Sequence, residues 1–312
     1  MQGVYTIAPL AAAVSRKNTL SRWGRASSKA GLMLATLAAG LALSLPAHAV
    51  NPNQGKMFKV AADVGLVPFF MRGTDGKLDG FSNDLTQEVA RRMGYEGAEV
   101  IDTPFSAIFA GLFSSRYDMV AAPTNTTRER AEQMLFAEPY MAGGLSFLAK
   151  KGATVNALED LKGKTIAVNN GSFSDRWLQD NQEKYGYKIQ RFNKNTDAVQ
   201  AVAIGRAFAN MSETPLARYI ATQTPALAPV YDMTTEANYA FAFRKDDTAL
   251  RNRVDEVLEC MKQDGSLSKL HAQWFGTEPN AGTAMTVIFP GYGVPDFPGY
   301  EPTEHTPDCS RP

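Results

Sequence analysis

From residue 57 onward, short apolar runs trade places with stretches in which apolar residues recur every three or four positions. "MFKVAADVGLVPFF" (57–70) begins as a strand, "FKVAA", and passes into a loop marked by Gly65 and Pro68. "GFSNDLTQEVARRMG" (80–94) sets Leu85, Val89 and Met93 on one face and predicts a helix. Ser82 is its candidate cap, Asp84 sits in its first turn, Arg91 and Arg92 suit its last, and Gly94 ends it. "AEVIDTP" reads as a second strand and "FSAIFAGLFSSRY" as a helix burying Ile108, Phe109, Leu112 and Phe113. "YDMVAAP" is a third strand, closed by Pro123. Strand and helix in alternation imply a parallel sheet with right-handed crossovers.

A second series starts near residue 150. "ALEDLKGKTIAVNNGSFSDRWLQDN" gives a short helix, the strand "KTIAV" and a loop in which Gly171 opens another helix. "NTDAVQAVAIG" predicts a helix capped by Thr196 and ended by Gly205, and "AFANMSETPLARYIA" reads as strand, loop, helix. "NYAFAFRKDD" (238–247) is extended again. "DTALRNRVDEVLECMKQDG" spaces Leu250, Val254, Leu258 and Met261 helically and stops at Gly265, and "SLSKLHAQWFG" is a final helix. Two α/β lobes emerge, with the chain crossing between them near 143–149 and 239–244. The first lobe takes 57–144 and 243–276, the second 145–242. Residues 277–312 carry seven of the 17 prolines with Gly282, Gly291, Gly293 and Gly299, a composition for extended segments without a core of their own.

Charge changes the picture only at the start. The formal charge is zero, yet residues 1–49 hold Arg16, Lys17, Arg22, Arg25 and Lys29 and no acid, leaving 27 basic residues against 32 acidic ones. A mildly acidic body excludes nucleic acid as a partner, since that would need a basic face. The basic start leads into "GLMLATLAAGLALSLP" and then "AHA", small residues at the −3 and −1 positions. Residues 1–49 are therefore expected to be a secretory signal peptide cleaved after Ala49. An apolar core of about 15 residues falls short of the roughly 20 that a membrane span needs. No Cys follows that core, so the chain is expected free in the periplasm. An oxidising compartment permits a disulfide between the two cysteines, Cys260 and Cys309, or leaves Cys260 unpaired at a helix edge.

Catalytic chemistry finds little material. The three histidines, His48, His271 and His305, are scattered, and no HExxH or GxSxG occurs. "GKT" at 163–165 resembles half of a phosphate loop, but Leu158 stands where a glycine belongs and the segment precedes a strand. No metal or cofactor is expected. Polar residues do gather just after strands, where open α/β sheets bind ligands. Four loops qualify, at 63–70, 123–130, 169–174 and 212–214, and together they offer Arg130, Glu213, hydroxyls, amides and aromatics. Such a set suits a zwitterion.

The ordered segments "GFSNDL", "FSAIFAGLFSSRYDMV", "TRERAEQMLFAEPYMAGG", "LKGKTIAVNNGS" and "RKDD…MKQDGSLSKLHAQWFG" resemble the family-3 periplasmic solute-binding proteins from about Phe58 to Gly276. The resemblance implies the α/β type II periplasmic-binding fold: two lobes, each a mixed, mainly parallel sheet flanked by helices, joined by two hinge strands. It implies no catalysis, a small-molecule ligand such as an amino acid, a membrane ABC permease as partner, and a monomer. In the family's T-x-x-R turn, here Thr127 to Arg130, the arginine pairs with the ligand α-carboxylate. Glu213 falls where a carboxylate takes the α-ammonium, and Phe105 where an aromatic packs on the ligand side chain. Ser172 and neighbouring amides at a helix start would hold the carboxylate from the second lobe, and Asp63 can contact a polar side chain. Leu66 replaces an aromatic, Ala122 and Pro123 replace small hydroxyl residues for which Thr124 and Asn125 would compensate, and Phe208 stands where Asp is usual. These departures leave room for an atypical ligand. Two other roles stay open: an accessory or sensor protein for a periplasmic partner such as a quinoprotein dehydrogenase, and a cyclohexadienyl dehydratase-like enzyme with Glu213 as its acid.

Overall fold

The computed structural model describes residues 51–310. The expected signal peptide lies outside them. Among the described residues no helix is long and apolar enough to cross a membrane.

The first lobe opens with β1 (Met57–Ala62), the small ribbon β2 (Met71–Arg72) and β3 (Leu78–Asp79), α1 (Phe81–Arg92), β4 (Gly97–Asp102), α2 (Phe105–Phe113) and β5 (Met119–Asn125). Then come a single helical turn, α3 (Arg128–Ala131), and the short strands β6 (Leu135–Phe136) and β7 (Met141–Ala142). The second lobe runs β8 (Leu145–Lys150), β9 (Thr165–Asn169), α4 (Phe173–Tyr185), β10 (Lys188–Phe192), α5 (Asn195–Ala203), β11 (Ala209–Glu213), α6 (Thr214–Gln223) and β12 (Leu227–Met233). The chain returns through β13 (Asn238–Phe243) to α7 (Thr248–Gln263) and α8 (Ser266–Phe275).

The first sheet has the order β4-β1-β5-β13-β6, with β7 also on β13. β1 pairs in parallel with β4 and β5, while β13 runs antiparallel to its partners. The second sheet has the order β10-β9-β11-β8-β12, parallel across β10, β9 and β11 and antiparallel from β8 on. β13 is hydrogen-bonded into the first sheet throughout, so the second crossover falls between Met233 and Asn238, a few residues before the expected 239–244. At the first crossover a side chain on Gly143 would collide with the Ala237 carbonyl, which brings the two connecting strands into close approach.

Each sheet buries its apolar residues under helices. β5 is buried along its whole length, as a central strand covered on both faces should be. Its core is aromatic: Phe69 meets Phe81 edge-on at 6.0 Å, and Tyr140 lies 5.0 Å from Phe241. In the second lobe one core, with Phe147, Val168 and Leu178, lies beneath α4. The other, with Ala198, Val202 and Ile220, lies beneath α5 and α6.

Local readings shift at several ends. Gly80, not Ser82, is the residue that precedes α1; Ser82 is inside the helix, where its carbonyl accepts from Thr86. Lys194 rather than Thr196 precedes α5. Phe113 is 44% exposed, because α2 ends there and its buried face follows Phe105, Ile108 and Leu112. Pro123 does not close its strand: β5 continues to Asn125, and the proline sits where the ladder to β13 shifts register, a site that needs no N–H from it. β10 and β12, short of alternating apolar residues, went unread.

The proline-rich tail packs against α7 of the first lobe. Arg251 donates to Phe136 O, Gly299 O and Glu301, and Asp255 accepts from the backbone of Glu138 and Gly293. Lys262 and Glu138, each with a side chain 1% exposed, pair at 2.9 Å, and Lys262 also donates to Val287 O. His305 meets Glu259 at 2.9 Å, and a disulfide joins Cys260 to Cys309. Closing a loop with a sequence separation of 49 contributes about 4 kcal/mol in the chain-entropy account.

Candidate functional site

Both sheets point the carboxyl ends of their central strands at one crevice between the lobes. Asp63 follows β1, Asn125 ends β5, Asn169 ends β9 and Glu213 ends β11. The four loops singled out by sequence therefore meet.

Arg130 is held by its own turn. Thr127 caps the turn by accepting from the Arg130 N–H at 3.2 Å, and the guanidinium donates to Asn125 O at 2.9 Å. Its plane lies 5.6 Å from the Phe105 ring and 5.2 Å from the Phe109 ring. Burial pushes its pKa down to about 10, against the pull of Glu213 and Glu129, so it stays cationic at neutral pH. Among the described residues no carboxylate stands within ion-pair distance of it. Glu213, from the other lobe, is pushed up by burial, with Arg130 drawing it back. Asn125 ties the two: its carbonyl takes Arg130 and its amide donates to Glu213 at 3.3 Å across the crevice. Two opposite charges thus feel each other through a gap that neither closes, and such a pair suits the two ends of a zwitterion.

Phe105, Ser172 and Glu213 line one inner cavity with Leu66, Asn195 and Met211. Its volume of about 10 Å³ is room for about one water, so a guest the size of an amino acid enters only as the lobes part. Arg130 and Ser172 also line the adjoining mouth, about 440 Å³. Ser172 caps α4, accepting from Asp175 N–H at 3.0 Å, and leaves its own proton to give. Gly171, beside it, approaches Ser106 of the first lobe so closely that a Cβ would lie 3.1 Å from the Ser106 Cα.

Two expected contacts are placed otherwise. Thr124 is fully buried and spends its hydroxyl on Ala122 O at 2.9 Å, so it stays within its strand and lines neither cavity. Asp63, 1% exposed, accepts from Phe105 N–H at 3.0 Å and from Lys194 of the second lobe at 2.7 Å. Lys194 also reaches Asp102 at 2.6 Å. Sequence reading missed Lys194, along with Asn195 and Met211, and named Ser212 only as part of the loop 212–214. Ser212 Oγ, Asn195 Nδ2 and Asn169 Oδ1 are buried without a hydrogen-bond partner among the described residues, and such atoms cost free energy until a polar group meets them. The polar residues flanking the expected Ser172 and Glu213 were the available signal. At the rim Arg176 meets Glu129 at 3.6 Å, a solvated pair of little energetic weight. No group of residues suited to a metal occurs among the described residues.

The model of one protein family, bacterial extracellular solute-binding proteins, family 3, matches residues 58–277. The L-cystine-binding protein TcyJ of Escherichia coli strain K12 is 29% identical over 254 residues, 80% of this chain and 94% of that protein. Among solved structures, an ancestral arginine-binding protein bound to arginine is 31% identical with a TM-score of 0.68, covering 70% of this chain and 98% of the other. An ancestral amino acid-binding protein, titled a precursor of cyclohexadienyl dehydratase, is 31% identical with a TM-score of 0.64, covering 70% and 95%.

Proposed function

The chain belongs to the bacterial extracellular solute-binding proteins of family 3, and we propose that it captures a free α-amino acid between its lobes for a membrane ABC permease. It works in this reading as a periplasmic monomer without cofactor. One observation carries the assignment. Arg130 and Glu213 converge on a single crevice from different lobes, linked by Asn125 and not neutralised by each other. The guanidinium fork matches a carboxylate, and the Glu213 carboxylate matches an ammonium. Ser172 and the amides at the start of α4 add donors for the same carboxylate. Phe105 supplies an apolar wall beside the ligand side chain. The named ligands of similar proteins, L-cystine and arginine, share this α-amino acid head.

Arg130→Ala is expected to weaken amino-acid binding by at least 30-fold, read by titration calorimetry, with the circular dichroism spectrum unchanged, because truncating one side of a buried charge pair costs about 2–5 kcal/mol. Undiminished affinity would remove Arg130 from the site. A catalytic reading rests on Glu213, whose raised pKa suits a general acid, and on the solved relative titled a dehydratase precursor. Turnover of prephenate or arogenate by the purified chain would establish it; binding without turnover rules it out.

A further inference from the structure

Resting on that reading of the crevice, we infer that Lys194 is a specificity-determining residue, which confines the ligand to amino acids with uncharged side chains. Asp175, buried beside Ser172, is paired with Arg191 of its own lobe at 2.9 Å, whereas Asp63, 1% exposed, borders the inner cavity from the first lobe through Phe105, whose N–H it accepts. It is therefore the group that a cationic ligand side chain would seek. The second lobe fills that position from within. Lys194 projects from the start of α5, immediately before the cavity residue Asn195, and places its ammonium 2.7 Å from Asp63 and 2.6 Å from Asp102. A guanidinium or ammonium entering here would have to displace a cation already held by two carboxylates. An anionic side chain fares no better, since those two acids outnumber the lysine. What remains toward the ligand side chain is neutral: Leu66, Phe105 and Met211 as walls, with Asn169 and Asn195 bearing unmet polar atoms. The arginine-bound solved relative takes a cationic ligand, so the expectation for this chain departs from that relative.

Titration calorimetry with the twenty L-amino acids, L-cystine and L-ornithine tests the inference. The unaltered protein should bind its best uncharged amino acid at least tenfold more tightly than arginine, lysine or ornithine. Lys194→Met keeps the apolar stem and frees Asp63. The ratio of arginine to uncharged-ligand affinity should then rise at least tenfold, even as the uncharged ligand weakens through loss of the tie between lobes. Adding Asp63→Asn should abolish that rise. A merely structural lysine would weaken all ligands alike, and that result overturns the inference, as does arginine binding to the unaltered protein as tightly as any uncharged ligand. Should Lys194→Met fail to fold, Lys194→Gln is read by the same ratio, with a smaller rise expected. Failure of every amino acid to bind the unaltered protein would instead overturn the Arg130–Glu213 clamp, and the inference with it.

Discussion

Burying a guanidinium is costly, and Arg130 recovers only part of that cost through Asn125 O and two aromatic faces. Glu213 is in the same position with the sign reversed. Its pKa is raised by burial, so without a guest the folded chain holds this proton more tightly than the unfolded chain does. Ionising Glu213 therefore costs stability as pH rises through its folded value, and an ammonium partner recovers it. The thermal shift produced by a bound amino acid should be full well above that value and fade as pH falls through it, beginning at a higher pH than an ordinary glutamate would give. Glu213→Gln should remove that dependence along with most of the affinity. A ligand-induced shift that is flat between pH 4 and 8 would sink the clamp. Arg130 and Glu213 were legible in the sequence because both fall in loops at strand ends and match positions that the family resemblance assigns to the ligand's carboxylate and ammonium. Lys194 was not, because its partner Asp63 lies 131 positions away on the opposite lobe.

Elements with continuous apolar runs or a clean helical face were readable: β1, β5, β9, α1 and α7 fall close to where periodicity puts them. β10 and β12 were not, since they flank the second sheet, only partly buried, and mix polar with apolar residues. Nor could composition reveal that α7 carries a row of buried charges. Arg251, Asp255, Glu259 and Lys262 are almost wholly enclosed, although their spacing looks like a solvated face; the tail covers them. Removing Lys262 strips Glu138 of its cation in a dry site, where burial already pushes that carboxyl up to about 7, so it must stay unpaired or take up a proton. Lys262→Met should cost about 3–5 kcal/mol in denaturant unfolding, whereas Glu138→Gln with Lys262→Met should cost less than the single change. A single variant as stable as the parent would mean that the pair carries no such penalty.

At the scale of the whole molecule, the alternation of strands and helices gave two lobes, but the position of the second crossover needed the hydrogen-bond ladder of β13. The inner cavity is too small for an amino acid, so binding and lobe movement are coupled. The tail's polar anchors bear on that movement. Arg251, Asp255, Glu138, Lys262, Glu259 and the disulfide all belong to the first lobe, and Arg128 there adds a bond to Asp296 O. The last described residues therefore ride with that lobe as a passenger and do not strap the molecule shut. A dye on exposed Ser310 and another on exposed Arg206 of the second lobe would act as a ruler across the jaws. Energy transfer between them should change on adding amino acid in the parent and stay level in Arg130→Ala.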